Sequence, residues 1–154
     1  MGRWHQGTWS GAFKSPLRHQ VTWFSCGRNV VSVKPHQYRI GRGAVLWRAN
    51  LAARSLKGKD LSGVYLTWAY LGDADLSNAN LAGAYLTGAT LTCTNLKNAN
   101  LSDADFSGAN LWGADLVGAD LSGTNFGGSF GDANTRWPED FDPEAAGVII
   151  KWSF

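Results

Sequence analysis

From position 46 to position 126 a large apolar residue returns every five residues, seventeen times in succession, as Leu everywhere except Phe106 and Phe126. Two residues before most of them stands a small residue, with Ala at 49, 69, 74, 79, 84, 89, 99, 104, 109, 114 and 119; Asn, Asp, Tyr or Thr usually falls between. A period of five fits neither ordinary element, because a helix groups its apolar residues near 3.6 and a strand near 2. Wound on a helix, one Leu in five would drift round every face and leave no buried stripe. A closed coil resolves this. If each five-residue unit forms one short side and then turns a corner, four sides make a coil of twenty residues with every Leu inside, and coils stack as a solenoid. Strand-like alternation also turns the residue two earlier inward, so near the axis it must be small. Gly, Asn and Asp recur two residues after the apolar position, at 58, 63, 78, 83, 88, 98, 103, 108, 113, 118 and 123. That is the corner, where positive φ is needed.

These units, plain in Ala74-Asp75-Leu76-Ser77-Asn78 and Ala119-Asp120-Leu121-Ser122-Gly123, resemble the pentapeptide-repeat family, whose motif is A(D/N)Lxx. The resemblance covers residues 44–128, which is 85 of 154. It implies an all-β fold, a right-handed quadrilateral β-helix, here of about four coils spaced by roughly 4.8 Å. Arg54 and Lys59 occupy positions where the motif wants a small residue, and Val64 and Thr94 are milder departures. A charge buried at 54 or 59 is costly unless it snorkels out or finds a partner, which puts the packing of the second coil in question.

Three regions follow: a basic leader at 1–43, largely irregular or disordered; the repeat solenoid at 44–128; and a C-terminal cap and tail at 129–154. The leader carries seven Lys/Arg and no acid, the repeats five basic and seven acidic residues, and the tail two basic and five acidic ones. Residues 1 to about 28 are expected to have no stable fold, and residues 21–33 hold apolar residues for a strand or two. A stack of coils exposes two apolar ends that must be covered. At the C-terminal end Trp137, Phe141 and Val148 offer anchors, and Asp142-Pro143 followed by Gly147 reads as the cap, first turn and stop of a short helix. The tail also resembles the sequence that closes cyanobacterial members of the family. At the N-terminal end no comparable signal precedes Ala44.

Cys26 and Cys93 are the only cysteines. A chain with this much core does not need a disulfide, which points to a reducing compartment. No apolar run is long enough to span a bilayer and no signal-peptide core follows the start. The expected setting is cytoplasmic, with an organelle as the alternative if the leader is a transit peptide.

Chemistry is sparse. His5, His19 and His36 all lie in the leader, so the solenoid has no partner for nucleophilic catalysis and no Cys/His cluster at metal spacing. The carboxylate pairs Asp73/Asp75 and Asp103/Asp105 fall at a corner and on the next side, facing water with no cleft, which is wrong for acid–base work. No catalytic residue, metal ligand or cofactor is expected. The surface columns say more. Residues twenty apart stack, so Tyr65 lies over Tyr85, Trp68 ends the side that Tyr65 occupies, Tyr70 begins the next, and Trp47 stands one coil above Thr67. Trp47, Tyr65, Trp68, Tyr70 and Tyr85 therefore form one aromatic patch on a solenoid otherwise dressed in small polar residues. Cross-rung stacking alone accounts for aromatics in a sheet; exposed aromatic clusters also mark interfaces. The reading is a non-catalytic, rigid protein-interaction or scaffold module with an unknown protein partner and a possible homo-oligomer through its N-terminal end. Two alternatives are a DNA mimic that binds topoisomerase, which the resemblance brings in, and nucleic-acid binding through the basic, Trp-bearing leader. The short repeat, with net charge −2 and no Glu, suits a mimic poorly.

Overall fold

The computed structural model describes residues 39–151. The expectations for residues 1 to about 28, and for strands at 21–33, lie outside the described residues. Within them the chain winds as a ladder whose rungs are twenty residues apart. Parallel bridges join Val45 to Tyr65, Asn50 to Tyr70, Ser55 to Asp75 and Asp60 to Asn80, and continue in the same four columns to Asn110–Phe130. Each bridge is made of two backbone hydrogen bonds, as where Leu66 N–H donates to Tyr85 O at 2.7 Å and Tyr85 N–H donates to Val64 O at 2.8 Å. The sides between corners are so short that, among the described residues, only two strands exceed a single bridge: β1, Phe130–Asp132, and β2, Ile149–Lys151, which pair in parallel.

Each corner is a tight turn in which the small residue's N–H donates back to the preceding apolar residue's carbonyl, as Ala69 to Leu66 at 2.9 Å and Ala84 to Leu81 at 2.9 Å. The residue before the donor has positive φ at every fifth position from Gly43 to Gly128. This is the third residue of a type II turn. Glycine, Asn and Asp fill most of these places, yet Arg48, Ala53, Trp68 and Cys93 adopt the same conformation at φ 54–58°. A side chain there costs about 1–2 kcal/mol, so the ladder on either side holds these corners in a conformation they would not choose. Cys93 stands at one of these corners, outside the core, and Cys26 lies outside the described residues.

The Asn or Asp of each unit fastens the next corner. In eleven units its Oδ1 accepts the N–H two residues on, from Asn50 and Ala52 to Asn125 and Gly127, at 2.9–3.2 Å. This is an Asx turn. Side-chain amides also link rungs, with Asn80 Nδ2 donating to Asp60 and Asn95 Nδ2 to Asp75, both at 3.2 Å. Four of the carboxylates that accept these bonds, Asp60, Asp75, Asp105 and Asp120, are held below the ordinary value of 3.8: at Asp60, Asp75 and Asp120 chiefly by the Ser hydroxyl and N–H two residues on. At Asp105 burial pushes upward, but hydrogen bonds from Ser107, Thr87 and Asn125 outweigh it. A lowered native value means that stability is present above the unfolded value and is lost as pH falls through the native one. The expected result is therefore acid weakening beginning below about pH 3.8. In D60N/D75N/D120N it should be blunted, because Asn already makes the same turn at 80, 95 and 100. Urea unfolding followed across pH checks this; equal acid sensitivity in parent and variant would refute it.

Inward, the apolar column is buried at every place but Leu121, which is half-buried. Every fifth residue from Leu46 to Leu116, and Phe126 beyond, is at most 3% exposed, and the small residues at 49, 69, 74, 79, 84, 89, 99, 104, 109 and 114 are buried with them. Val64 and Thr94 pack at 0% exposure. The buried Thr94 hydroxyl is satisfied by donating to Leu71 O at 2.7 Å, and Thr124 repeats the device on Leu101 O at 2.9 Å. Arg54 and Lys59 lie in the first described coil rather than the second. Lys59 is exposed and Arg54 half-buried, while their backbones keep the ladder through bonds to Asn80 and Asp75.

The C-terminal segment departs from the expected helical cap. Among the described residues there is no helix; residues 143–147 are turns. The local signals operate, since Asp142 Oδ1 accepts Ala145 N–H at 3.1 Å and Ala146 N–H donates to Asp142 O at 3.2 Å. With only one turn before Gly147 swings to φ 88°, the costly helix nucleus has nothing to propagate into. The chain instead enters β2, which lies on β1. Trp137 and Phe141 meet the ring of Phe126 edge-on at 5.5 and 5.6 Å. Between 130 and 136 one side holds an extra residue, so Asp115 pairs with Arg136 rather than with position 135. Asp132 absorbs it, accepting from Gly113 N–H at 2.9 Å and Asn134 N–H at 3.2 Å.

Candidate functional site: an aromatic corner

The five sequence-predicted aromatics share one corner of the solenoid. Tyr65 and Tyr85 stand on one side in successive coils, Tyr70 on the following side, and Trp47 and Trp68 in the turns that join those two sides. Each keeps a large part of its surface in water: 56% for Trp47, 55% for Trp68, 46% for Tyr65, 45% for Tyr85 and 38% for Tyr70. Tyr65 and Tyr85 stack with ring centroids 4.7 Å apart and planes within 7°, which is the rung spacing of the ladder itself. Part of their role is thus internal.

Trp68 is different. It bears positive φ, and a Cβ built on Gly88 would stand 2.7 Å from its ring. The indole therefore lies against bare backbone in the next coil, and the spacing 68/88 was the signal for it. Two neighbours were missed by sequence reasoning. The Arg48 guanidinium sits 4.6 Å over the Trp47 ring, a cation–π contact, legible only as adjacent residues. Val45, 76% exposed, bridges to Tyr65 and extends the patch toward the N-terminal end. Trp112 is also exposed, at 39%, but stands on a different corner.

The carboxylates Asp75 and Asp105 are spent on Asx turns and rung-to-rung bonds. Asp73 occupies a corner, where burial raises its pKa. His5, His19 and His36 lie outside the described residues. Among the described residues no group of three His, Cys, Asp or Glu is placed to hold a metal ion, and no helix is long and apolar enough to cross a membrane.

A family model for pentapeptide repeats matches in eight copies, over residues 60–98, 69–108 and 99–130. Among solved structures, a pentapeptide repeat protein from Nostoc Pcc 7120 is similar at 40% identity and a TM-score of 0.53, over 71% of this chain and 83% of that one. One from the cyanobacterium Cyanothece 51142 is similar at 39% identity and a TM-score of 0.61, over 65% and 77%. A third, from the thylakoid lumen of Arabidopsis thaliana, shares 32% identity over 51% and 66%, with a TM-score of 0.40. Among curated proteins none matches.

Proposed function

Because this chain belongs to the pentapeptide-repeat family and so has its right-handed quadrilateral β-helix, we propose that it acts as a non-catalytic, rigid interaction module, with its aromatic corner as the surface that meets a protein partner. The observation that carries this is the exposure of Trp68. An indole seated at a strained corner, resting on Gly88 and still 55% exposed, gains little for the fold. Large, rigid, amphipathic side chains of this kind dominate interface hot spots. Trp47, Tyr65, Tyr70 and Tyr85 surround it, and Arg48 adds a cation to the same edge. The solenoid contributes stiffness: rungs bonded on four sides leave the corner pre-organised, so little entropy is lost on docking. The cations of the first coil weigh against the alternative of a duplex mimic, which needs negative charge along the rod.

The test is the triple variant Y65T/W68N/Y85T. Thr already stands on a side at Thr90, and Asn78 and Asn98 already take the corner conformation at φ 55–57°, so thermal unfolding should change little. Partner capture should fall to background. Capture of the same partners at the parent's strength would reduce the corner to rung-to-rung stacking.

A further inference from the structure

Charge is sorted along the solenoid axis. From residue 39 to residue 63 six Lys or Arg face a single carboxylate, Asp60. At the other end Glu139, Asp140, Asp142 and Glu144 are exposed within six residues, with no cation between Arg136 and Lys151. The acidic end also has shape. Leu121 is the one member of the inward column that is not buried. The turn-rich segment packs Trp137 and Phe141 on Phe126 and passes Leu121 by, which leaves an open notch of about 270 Å³. Ala119, Leu121, Pro138 and Phe141 give it apolar walls, and Glu139 and Asp140 rim it. Such a notch suits a guest that brings an apolar ring and a cation together. The opposite end of the same molecule carries one, the exposed Trp47 with Arg48 over its ring.

We propose that the chain associates head to tail, the Trp47–Arg48 edge of one copy docking in the Leu121 notch of the next. The proposal rests on the reading of the aromatic corner as a protein-contact surface. Head-to-head or tail-to-tail pairing would set like charges against each other, which complementary interfaces avoid. A contact between two different patches is heterologous, so each added copy leaves one free edge and one free notch and the assembly extends instead of closing as a dimer.

Sedimentation velocity on the full chain tests this over a range of protein concentrations, at about 0.01 M and about 1 M salt, where the screening length falls from about 30 Å to about 3 Å. At low salt the mean mass should climb with concentration past that of a dimer, and at high salt it should return to the monomer. R48E alone and E139K/D140K alone should each stay monomeric at low salt. Mixed together they should associate, because native edge meets native notch and reversed edge meets reversed notch; this recovery also shows that both variants are folded. A parent that stays monomeric at low salt, one that stops at a closed dimer, or either single variant associating like the parent would overturn the proposal. A monomeric parent that still captures partners lost by Y65T/W68N/Y85T would remove head-to-tail association and leave the contact corner standing.

Discussion

Leu81→Ala and Leu86→Ala are each expected to lower the unfolding free energy by about 2–5 kcal/mol, the range for truncating a buried Leu. Both side chains are 0% exposed, in interior coils with a full coil on either side. The cavity they leave cannot collapse easily, because the rungs are held apart by their own hydrogen bonds: Leu81 N–H to Asn100 O and Leu86 N–H to Asp105 O, both at 2.7 Å. Leu121→Ala is the internal control. It has the same place in the repeat but remains half-buried beside the notch, so its loss should be clearly smaller. Urea unfolding of the three variants makes the comparison; equal losses would mean that the inward column is not the source of stability.

The second large effect separates one coil from the next. Lys59 is exposed at a position where Ala79, Ala99 and Ala119 lie directly below it and are buried. In the first described coil a long cation can reach water past the edge of the stack, whereas one rung further in it has coils above and below. Lys59→Ala should therefore be near neutral, while Ala79→Lys should cost several kcal/mol, on the order of the penalty for an unpaired buried ion after relaxation. Far-ultraviolet circular dichroism with urea unfolding reads both. A tolerated Ala79→Lys would mean that the interior positions are not closed to water.

The repeat was legible from residues alone because it is over-determined. Each coil needs four inward apolar residues, four small ones and four corners, and the three patterns are in phase from Leu46 onward. The roles of Asn and Asp were less plain. Their columns could be read, but the Asx bond from residue to second-next N–H is local geometry that the repeat conceals among neighbouring polar residues. The C-terminal segment misled for a related reason. Asp142, Pro143 and Gly147 are sound helix signals, but they enclose a single turn, and the β-branched run Val148-Ile149-Ile150 that leads into β2 was the better guide. The aromatic corner followed from the twenty-residue spacing, which brought Tyr65 over Tyr85. The notch at Leu121 was out of reach, because it depends on where an irregular segment happens not to lie.

Everything proposed here depends on the chain closing four equivalent sides into each coil, which alone sets Trp47, Tyr65, Trp68, Tyr70 and Tyr85 on one corner. Residue-resolved amide hydrogen exchange tests that closure most directly. The N–H groups of Leu86, Leu91, Leu96 and Leu101 belong to one coil, one on each side, and each donates to the rung beyond at 2.7–2.9 Å. The prediction is slow exchange at all four, with similar protection set by global unfolding. Fast exchange at any one of them while the others stay protected would contradict the closed coil and, with it, the corner.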